Sequence, residues 1–257
     1  MKKFLLIICA ALVMTSCGGF REPQKVVIGI DDGYAPIAFR NEQNEIVGFD
    51  IDLAQEAMRR LDFDVEFRPI DWNKKEEELD AKRIDMIWNG LNITPERRKI
   101  MLFSKSYMIN RQIVFVKRDD STDLIVKEDL AGKIVGTQVG TIGEYYIDKD
   151  KALKKSFREL KIYHSYLDAL DALNNGEIDA LICDEIVGRY AGSNEGDKFK
   201  ALEITIGSVT EIGIGFRKDN VELRNQVQKV FDEMIKDGTA KQISEKWFKA
   251  DLIISRT

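Results

Sequence analysis

From residue 25 onward, short apolar runs alternate with stretches in which apolar residues recur every three or four positions. Residues 26–30 and 84–88 are almost continuously apolar, which is typical of strands covered on both faces. Between them, Asp50 begins a stretch of helical period, and its side chain is expected to cap that helix. The apolar positions of this stretch are Ile51, Ala54, Met58 and Leu61. Strands that alternate with helices predict an α/β fold with a mainly parallel sheet.

The second half of the chain repeats this order. We expect strands over residues 134–137, 160–163 and 178–183, and helices over residues 143–151 and after Ser165. Residues 79–87 (LDAKRIDMI) and 173–181 (LNNGEIDAL) also match in register, each reading as a helix end, a turn, Ile-Asp and a buried strand. The repeated pattern predicts two lobes of similar construction, although α/β segments also resemble one another by chance.

The carboxyl-terminal part is predicted to be helical. The apolar stripe of one helix consists of Leu223, Val227, Val230, Phe231 and Met234. This helix is expected to stop at Asp237-Gly238. A capping box of Thr239 with Gln242 is expected to begin the last helix.

The amino terminus has the order of an export signal. Two lysines precede apolar residues 4–14, and two small residues then lead to Cys17. This order is typical of a bacterial lipoprotein signal, and the apolar stretch is shorter than the roughly 20 residues of a membrane-spanning helix. We therefore expect residues 1–16 to be removed and Cys17 to carry lipid such as palmitate. Residues 17–24 would tether the protein to the outer face of the cell membrane, at the cell surface or in a periplasm.

Composition narrows the class of partner. The chain has 39 basic and 44 acidic side chains, and loss of the signal would leave 37 basic against 44 acidic ones, a formal charge of −7. This balance argues against a nucleic-acid partner, because such proteins concentrate positive charge. Only Cys183 would remain as a free thiol, so no internal disulfide is expected, and Cys183 is expected to be buried and inert. No metal-ligand cluster stands out in the sequence, and neither a metal nor a cofactor is expected.

Three loops directly follow predicted strands, at the edge where helix amino termini gather free N–H groups. In the first loop, Thr94 is an N-cap signal and Pro95 occupies the first helical position. Arg97 then falls in the first turn, where the helix dipole disfavours a cation. Two interpretations are open: Arg97 pairs with Glu96 or Asp64, or its planar fork binds a ligand carboxylate.

The second and third loops add amides and a carboxylate. Thr141 with Glu144 forms a predicted capping box, which leaves the N–H groups of Thr141 and Ile142 for an anion. No Gly-Lys-Ser/Thr follows, which favours a carboxylate over a nucleotide. Asp184 either caps the next helix or receives an ammonium group. Together with Arg97, these groups would complement the two charged ends of a zwitterion.

Aromatic residues follow the same strands. Tyr34 and Trp72 are expected to form walls against an apolar or delocalised ligand side chain. Phe39 fits a wall and a satellite core equally well. The one histidine, His164, is expected to be structural.

Several segments resemble the polar amino-acid-binding receptors of ABC importers, which are the extracellular solute-binding proteins of family 3. The resemblance runs in the right order over nearly the whole mature chain. The segments are IGIDDGYAP (28–36), VGFDIDLA (47–54), NITPER (92–97), VGT (139–141), IDALICDE (178–185) and GT with ISEKWF within 238–248. Residues 88–92, WNGLN, resemble a branch common in lipid-anchored receptors.

The resemblance implies a type II periplasmic-binding-protein fold, with two α/β lobes joined by two crossover strands. Lobe one would comprise residues 25–111 and 211–251, lobe two residues 112–210, and a tail residues 252–257. The crossovers are expected near residues 110–116 and 211–216.

The resemblance also implies roles for individual residues. Tyr34 and Trp72 would hold the ligand side chain, Asp184 would bind its α-ammonium group, and Asp31 would contact a polar side chain. The α-carboxylate would be bound by Gly90, Asn92, Arg97, Thr141 and Ile142. Asn89 is also expected among the amino-acid-binding residues. Asn89 and Asn92 stand where several relatives have Ser, and Ile142 stands where they have Thr.

The expected function is therefore that of a monomeric receptor that closes on a free L-amino acid, polar or sulfur-containing, and delivers it to an ABC permease and its ATPase. Two other functional classes are also consistent with the sequence, an enzyme and a sensor or adhesin. The fold also hosts dehydratases acting on cyclohexadienyl acids, although no catalytic motif is seen here. A sensor or adhesin would use the same site without transport.

Overall fold

The computed structural model describes residues 24–119, 124–194 and 198–254. In chain order the strands are β1 (Gln24–Ile30), β2 (Gly33–Tyr34), β3 (Ala38–Arg40), β4 (Ile46–Val47), β5 (Phe63–Pro69), β6 (Met86–Ile87), β7 (Met101–Phe103), β8 (Met108–Lys117), β9 (Ile134–Gln138), β10 (Glu159–Tyr163), β11 (Ala180–Asp184), β12 (Phe199–Ile212) and β13 (Gly215–Arg217). The α-helices are α1 (Phe49–Leu61), α2 (Lys75–Asp80), α3 (Pro95–Ile100), α4 (Ile142–Lys149), α5 (Lys151–Ser156), α6 (Tyr166–Asn174), α7 (Glu185–Asn194), α8 (Val221–Lys236) and α9 (Thr239–Phe248). Short 3-10 turns cover Trp72–Lys74 and Lys127–Leu130. Within these described ranges, none of the helices combines the length and apolarity needed to cross a membrane.

The first lobe is built on a five-stranded sheet of order β5-β1-β6-β13-β7. Its first three strands are parallel, whereas β13 runs antiparallel to both of its neighbours. Buried apolar side chains cover both faces, with Phe49 and Trp88 on one side and Leu79 and Ile87 in a second cluster. A small sheet of β2, β3 and β4 lies beside the start of α1.

The second lobe repeats this plan with the order β10-β9-β11-β8-β12. Its strands β10, β9 and β11 are parallel, and β8 and β12 are antiparallel to their neighbours. Val135 and Ile182 are buried in one apolar cluster, while Phe115 and Leu181 belong to another. Covering each sheet on both faces explains why its strands appear as continuous apolar runs in the sequence.

The two segments that match in sequence occupy equivalent positions. In the first lobe, the Asp85 carboxylate accepts a hydrogen bond of 2.9 Å from the backbone N–H of Val27, at the start of the neighbouring strand. In the second lobe, Asp179 accepts a bond of 2.7 Å from the N–H of Ile134 in the same way. The prediction of two lobes of similar construction is therefore confirmed.

The chain passes between the lobes twice, and the two passages lie side by side. β8 and β12 pair antiparallel from Met108 opposite Ile212 to Lys117 opposite Phe199, with two register shifts along the way. At the base of this pair, the backbone N–H of Tyr107 donates to the carbonyl of Ile212 at 2.9 Å. The lobes are thus joined by one two-stranded connection.

The start of the last helix differs from the prediction. Helix α8 ends before Asp237, as expected, and α9 follows Gly238, whose φ of +85° places it in the left-handed region. Thr239 donates to the Asp237 carboxylate from both its backbone N–H and its hydroxyl. The predicted capping box of Thr239 with Gln242 is wrong. Thr239 instead donates to Asp237, the residue that follows the end of α8.

Candidate functional site

A narrow cavity lies between the lobes; we call it the cleft. It is lined by Asp31, Tyr34, Trp72, Gly90, Asn92, Arg97, Gln138, Thr141, Ile142 and Asp184. Nine of the ten residues singled out from the sequence are therefore brought together, although they come from distant parts of the chain. Asn89 is the exception, and Gln138 is an addition.

Asp184 ends the buried strand β11 and forms the acidic side of the cleft. One of its oxygens accepts hydrogen bonds from the side-chain amides of Asn110 and Gln112, the latter at 2.6 Å. The other accepts a bond of 2.8 Å from the hydroxyl of Tyr34, which belongs to the first lobe. Burial raises the pKa of Asp184, and the hydrogen bonds of these neutral donors lower it. No cation is among these three partners.

Arg97 forms the basic side. Thr94 caps α3 by accepting the backbone N–H of Arg97 at 3.1 Å, as predicted. The Arg97 guanidinium donates to the Glu76 carboxylate from Nε at 3.0 Å, to the Asn92 carbonyl from Nη1 at 3.0 Å and to the Gly140 carbonyl from Nη2 at 3.3 Å. Burial lowers the pKa of Arg97 and Glu76 raises it. Its ionic partner is thus Glu76, rather than Glu96 or Asp64.

Residues 138–142, which we call the Gly140 loop, bring backbone amides to the same side. Gly140 has a φ of +69°, a left-handed conformation that favours glycine. Thr141 caps α4 by accepting the N–H of Glu144 at 3.4 Å. The Glu144 carboxylate, however, binds the N–H of Gly140 at 2.7 Å. The predicted capping box is therefore altered: the Glu144 side chain binds the N–H of Gly140, one residue before the N-cap Thr141 that it was expected to bind.

Asp31 and Gln138 meet across the cleft. Asp31 follows β1, and its Oδ2 accepts a hydrogen bond of 2.6 Å from Nε2 of Gln138 at the end of β9. Its Oδ1 accepts the backbone N–H of Gly33 at 2.9 Å. Burial raises the pKa of Asp31, and these two hydrogen bonds lower it. Gln138 is not among the site residues predicted from the sequence. It ends β9, the strand that corresponds to β1 in the second lobe, and this position could have identified it.

Aromatic rings and a glycine shape the walls. Tyr34 stacks on Tyr166 of the second lobe with centroids 5.8 Å apart, and Trp72 is buried. Gly90 has a φ of +59°, and a Cβ there would lie 2.7 Å from the Tyr34 ring. Phe39 packs instead on Tyr190 and Trp247 and does not line the cleft.

Asp50 supports Gly90 from behind. Its carboxylate accepts the backbone N–H of Gly90 at 2.6 Å and the hydroxyl of Tyr107 at 2.8 Å. Helix α1 itself begins after Gly48 without a side-chain cap, so the predicted capping role of Asp50 is wrong. Burial raises the pKa of Asp50 from 3.8 to about 7, although the bonds from Gly90 and Tyr107 lower it.

The two asparagines differ in their surroundings. Asn92 lines the cleft, and its side-chain oxygen accepts bonds from Asn110 at 3.1 Å and from the Thr210 hydroxyl at 2.6 Å. Asn89 is buried outside the cleft, and among the described residues its side-chain amide finds no hydrogen-bond partner. Asn89 thus does not contact the cavity directly.

Other sequence predictions concern chemistry away from the cleft. Cys183 is fully buried, as predicted. His164 contributes its backbone carbonyl, which accepts a bond of 3.0 Å from Gln138. Within the described ranges, no group of three or more His, Cys, Asp or Glu side chains could hold a metal ion. Cys17 and the predicted signal segment lie outside the described residues.

The chain is similar to known proteins both in sequence and in structure. A family model described as bacterial extracellular solute-binding proteins, family 3, matches residues 26–250. The arginine-binding extracellular protein of Bacillus subtilis is 30% identical over 263 residues, covering 98% of this chain and 100% of the relative. The L-cystine-binding protein of Escherichia coli is 29% identical over 232 residues, covering 90% and 85%. The substrate-binding protein of an ABC uptake transporter from Streptococcus pneumoniae, solved with bound histidine, has a TM-score of 0.84 at 33% identity, covering 90% of this chain and 95% of that one.

Proposed function

The chain belongs to family 3 of the bacterial extracellular solute-binding proteins, and from that premise we propose that it captures a free L-amino acid for an ABC importer. Membership and the histidine-bound neighbour also confirm the predicted type II periplasmic-binding fold with two α/β lobes. The proposal concerns the ligand, the residues that hold it and the transporter that receives it.

The observation that carries the proposal is the opposition of charges in the cleft. Arg97 and the Gly140 loop lie on one side, and the carboxylate of Asp184, which has only neutral donors among its named partners, lies on the other. Arg97 would bind the α-carboxylate together with the N–H groups of Thr141 and Ile142. Asp184 would bind the α-ammonium group. No cation is among the named partners of Asp184, so a ligand ammonium group would lower the cost of burying its charge. Arg97 already pairs with Glu76, and the ligand carboxylate would be its second anionic partner.

The residues that line the rest of the cleft suit a ligand with a polar side chain. Asp31 and Gln138 present a carboxylate and an amide beside the walls of Tyr34 and Trp72. The named relatives bind arginine, cystine and, in the solved structure, histidine, all of which have polar side chains. We propose a ligand with a cationic, amide or sulfur-containing side chain, long enough to reach Asp31.

Binding would be coupled to closure of the lobes. The ligand contacts would come from both lobes, so binding free energy favours the closed arrangement. The closed shape would then be recognised by the permease. Lipid on Cys17 would hold the receptor near that permease at the outer face of the membrane.

A thermal-shift screen of the signal-free protein against the twenty L-amino acids and L-cystine tests the proposal. A ligand that binds the native state raises the melting temperature in proportion to the logarithm of its concentration over Kd. We expect a saturable shift with a small set of polar amino acids, confirmed by calorimetry at one site per chain. An absence of any shift, with folded protein shown by circular dichroism, would refute it.

The same experiment separates the receptor from an enzyme. After incubation, the bound amino acid should be recovered unchanged by mass spectrometry. Conversion of the amino acid, or of a cyclohexadienyl acid offered in parallel, would favour the dehydratase alternative.

A further inference from the structure

Lys75 is a buried lysine outside the set of residues that line the cleft. It is the first residue of α2 and follows the turn that carries Trp72, and it is only 1% exposed. Its ammonium nitrogen lies 3.0 Å from the Trp72 carbonyl, 2.9 Å from the Gly140 carbonyl and 3.3 Å from the Glu76 carboxylate. It also lies 5.0 Å from the centre of the Trp72 ring.

The three contacts use all three donors of the Lys75 ammonium group, and the acceptors come from both lobes. An ammonium group has three donors, and the three oxygens named above are three acceptors. Trp72 and Glu76 belong to the first lobe, whereas Gly140 belongs to the second. The full set of partners is therefore reached only when the lobes are together.

The Gly140 carbonyl is shared by two cations of the first lobe. Lys75 donates to it at 2.9 Å, and Arg97 donates to it at 3.3 Å. A ligand carboxylate bound by Arg97 would compete with the longer of these two bonds. Lys75 would then be the cation that continues to hold the Gly140 loop against the first lobe.

The backbones of the two lobes also meet here. A Cβ on Gly140 would lie 3.1 Å from Cα of Asn73 and 3.2 Å from the ammonium of Lys75. The left-handed φ of +69° at Gly140 directs its carbonyl into this contact. The Gly140 loop therefore approaches the Trp72 turn so closely that a methyl group on Gly140 would force these neighbours to shift by a few tenths of an ångström.

Lys75 stays mostly cationic at neutral pH, because its pKa of about 8 lies above 7. Burial and the neighbouring Arg97 lower the pKa of Lys75 to about 8, while Glu76 and Glu144 raise it. The bond of Lys75 to the Gly140 carbonyl is therefore a charge-assisted hydrogen bond between the lobes.

We propose that Lys75 is a positioning residue for amino-acid binding: its ammonium holds the Gly140 loop against the Trp72 turn in the closed protein. By doing so it fixes the Thr141 and Ile142 amides where a ligand carboxylate would lie. The inference rests on the proposed function, and it adds a residue to which the sequence resemblance gave no role.

The test compares Lys75→Met, which keeps the length of the side chain and removes its donors, with Lys74→Met. Lys74 is adjacent in the chain and its side chain is 57% exposed, so it controls for loss of one positive charge. Stopped-flow tryptophan fluorescence, to which Trp72, Trp88 and Trp247 all contribute, would follow binding of L-arginine, L-histidine or L-cystine, whichever the wild-type protein binds. We expect Lys75→Met to release the amino acid about tenfold faster, the value for one lost charge-assisted hydrogen bond, with association changed less than twofold.

A merely structural lysine would give a lower melting temperature with unchanged release, and that result would overturn the inference. Gly140→Ala provides a second route if Lys75→Met does not fold, because its methyl group would force the same two segments to shift. Gly132→Ala is its matched control, with a φ of +73° and open space around the added Cβ. Release at the wild-type rate in Gly140→Ala would likewise refute the role of this contact. Failure of the wild-type protein to bind any amino acid would instead refute the proposed function.

Discussion

The hydroxyl of Tyr34 donates a hydrogen bond of 2.8 Å to the carboxylate of Asp184, and this bond joins the two lobes across the cleft. A carboxylate offers about four lone-pair sites, and Tyr34, Asn110 and Gln112 together use three of them. The hydroxyl of Tyr166 lies beside the same carboxylate and also lowers its pKa. The arrangement therefore holds the carboxylate in a fixed orientation without neutralising its charge.

The charge of Asp184 gives the first prediction. Asp184→Asn keeps the size of the side chain but removes the negative charge opposite Arg97. We expect amino-acid affinity to fall about 100-fold, because a charge-assisted hydrogen bond from an ammonium group is lost in a buried site. Calorimetry would measure Kd, with Asp171→Asn on the exposed face of α6 as a control for charge in the same lobe. An unchanged Kd in Asp184→Asn would contradict the assignment.

Arg97 is expected to act through the shape of its guanidinium as well as its charge. Arg97→Lys retains a cation but loses the fork that can grip both oxygens of a carboxylate. We predict at least a tenfold weaker affinity from the loss of one such hydrogen bond. Arg98→Lys, on the exposed side of the same helix, should bind like the wild type. Equal affinities in the two variants would show that geometry at Arg97 is unimportant.

Asp31 should influence which amino acids bind. Asp31→Asn removes a carboxylate that faces the cleft beside Gln138. We expect affinity for L-arginine to fall about tenfold relative to affinity for L-glutamine, because only the cationic side chain gains from the charge. The ratio of the two Kd values is the measurement, and Asp32→Asn, whose carboxylate pairs with Arg40, is the control. A ratio that does not move would place the ligand side chain elsewhere.

Gly90 is predicted to be needed for space, not only for backbone conformation. Gly90→Ala and Gly132→Ala both put a Cβ on a left-handed residue, at φ of +59° and +73°. Each should cost about 1–2 kcal/mol of stability. Only Gly90→Ala also pushes on the Tyr34 ring, 2.7 Å away, so only this variant should lose amino-acid affinity. Denaturant unfolding and calorimetry on both variants separate the two effects.

Asp50 should make stability depend on pH. Burial raises its pKa from 3.8 to about 7 in the folded protein, so between these values the folded state binds a proton that the unfolded chain does not. Stability from this group therefore increases as pH falls through 7. Between pH 8 and pH 5.5 we expect a gain of about 2 kcal/mol in the wild type that is absent in Asp50→Asn. Urea unfolding of both proteins at the two pH values is the measurement, and parallel changes would contradict the assignment.

Local rules of sequence were sufficient for much of the site. The cap of Thr94 and the position of Arg97 follow from residues within one helical turn. Asp184 could be located because it ends a continuous apolar run, and the carboxyl ends of strands gather at one edge of a sheet. The similarity of residues 79–87 and 173–181 correctly indicated two related lobes.

Contacts between distant residues could not be read in this way. Asp50 looks like a helix cap, but its carboxylate binds Gly90, which lies 40 residues away in the chain. Lys75 and Glu76 look like the exposed start of a charged helix, yet they lie against the other lobe and Arg97. Periodicity indicates which face of an element is buried, whereas these roles depend on which distant segment of the chain packs against that face.

The side-by-side passage of the chain between the lobes has a mechanical consequence. Because β8 and β12 are hydrogen-bonded to each other where they cross, the two halves share a single bending axis, and sliding or independent twisting would break the Tyr107–Ile212 bond at its base. We therefore expect bending about this axis to be the main motion of the two lobes. A single distance between a dye on each half should accordingly describe the main conformational change of the protein in solution.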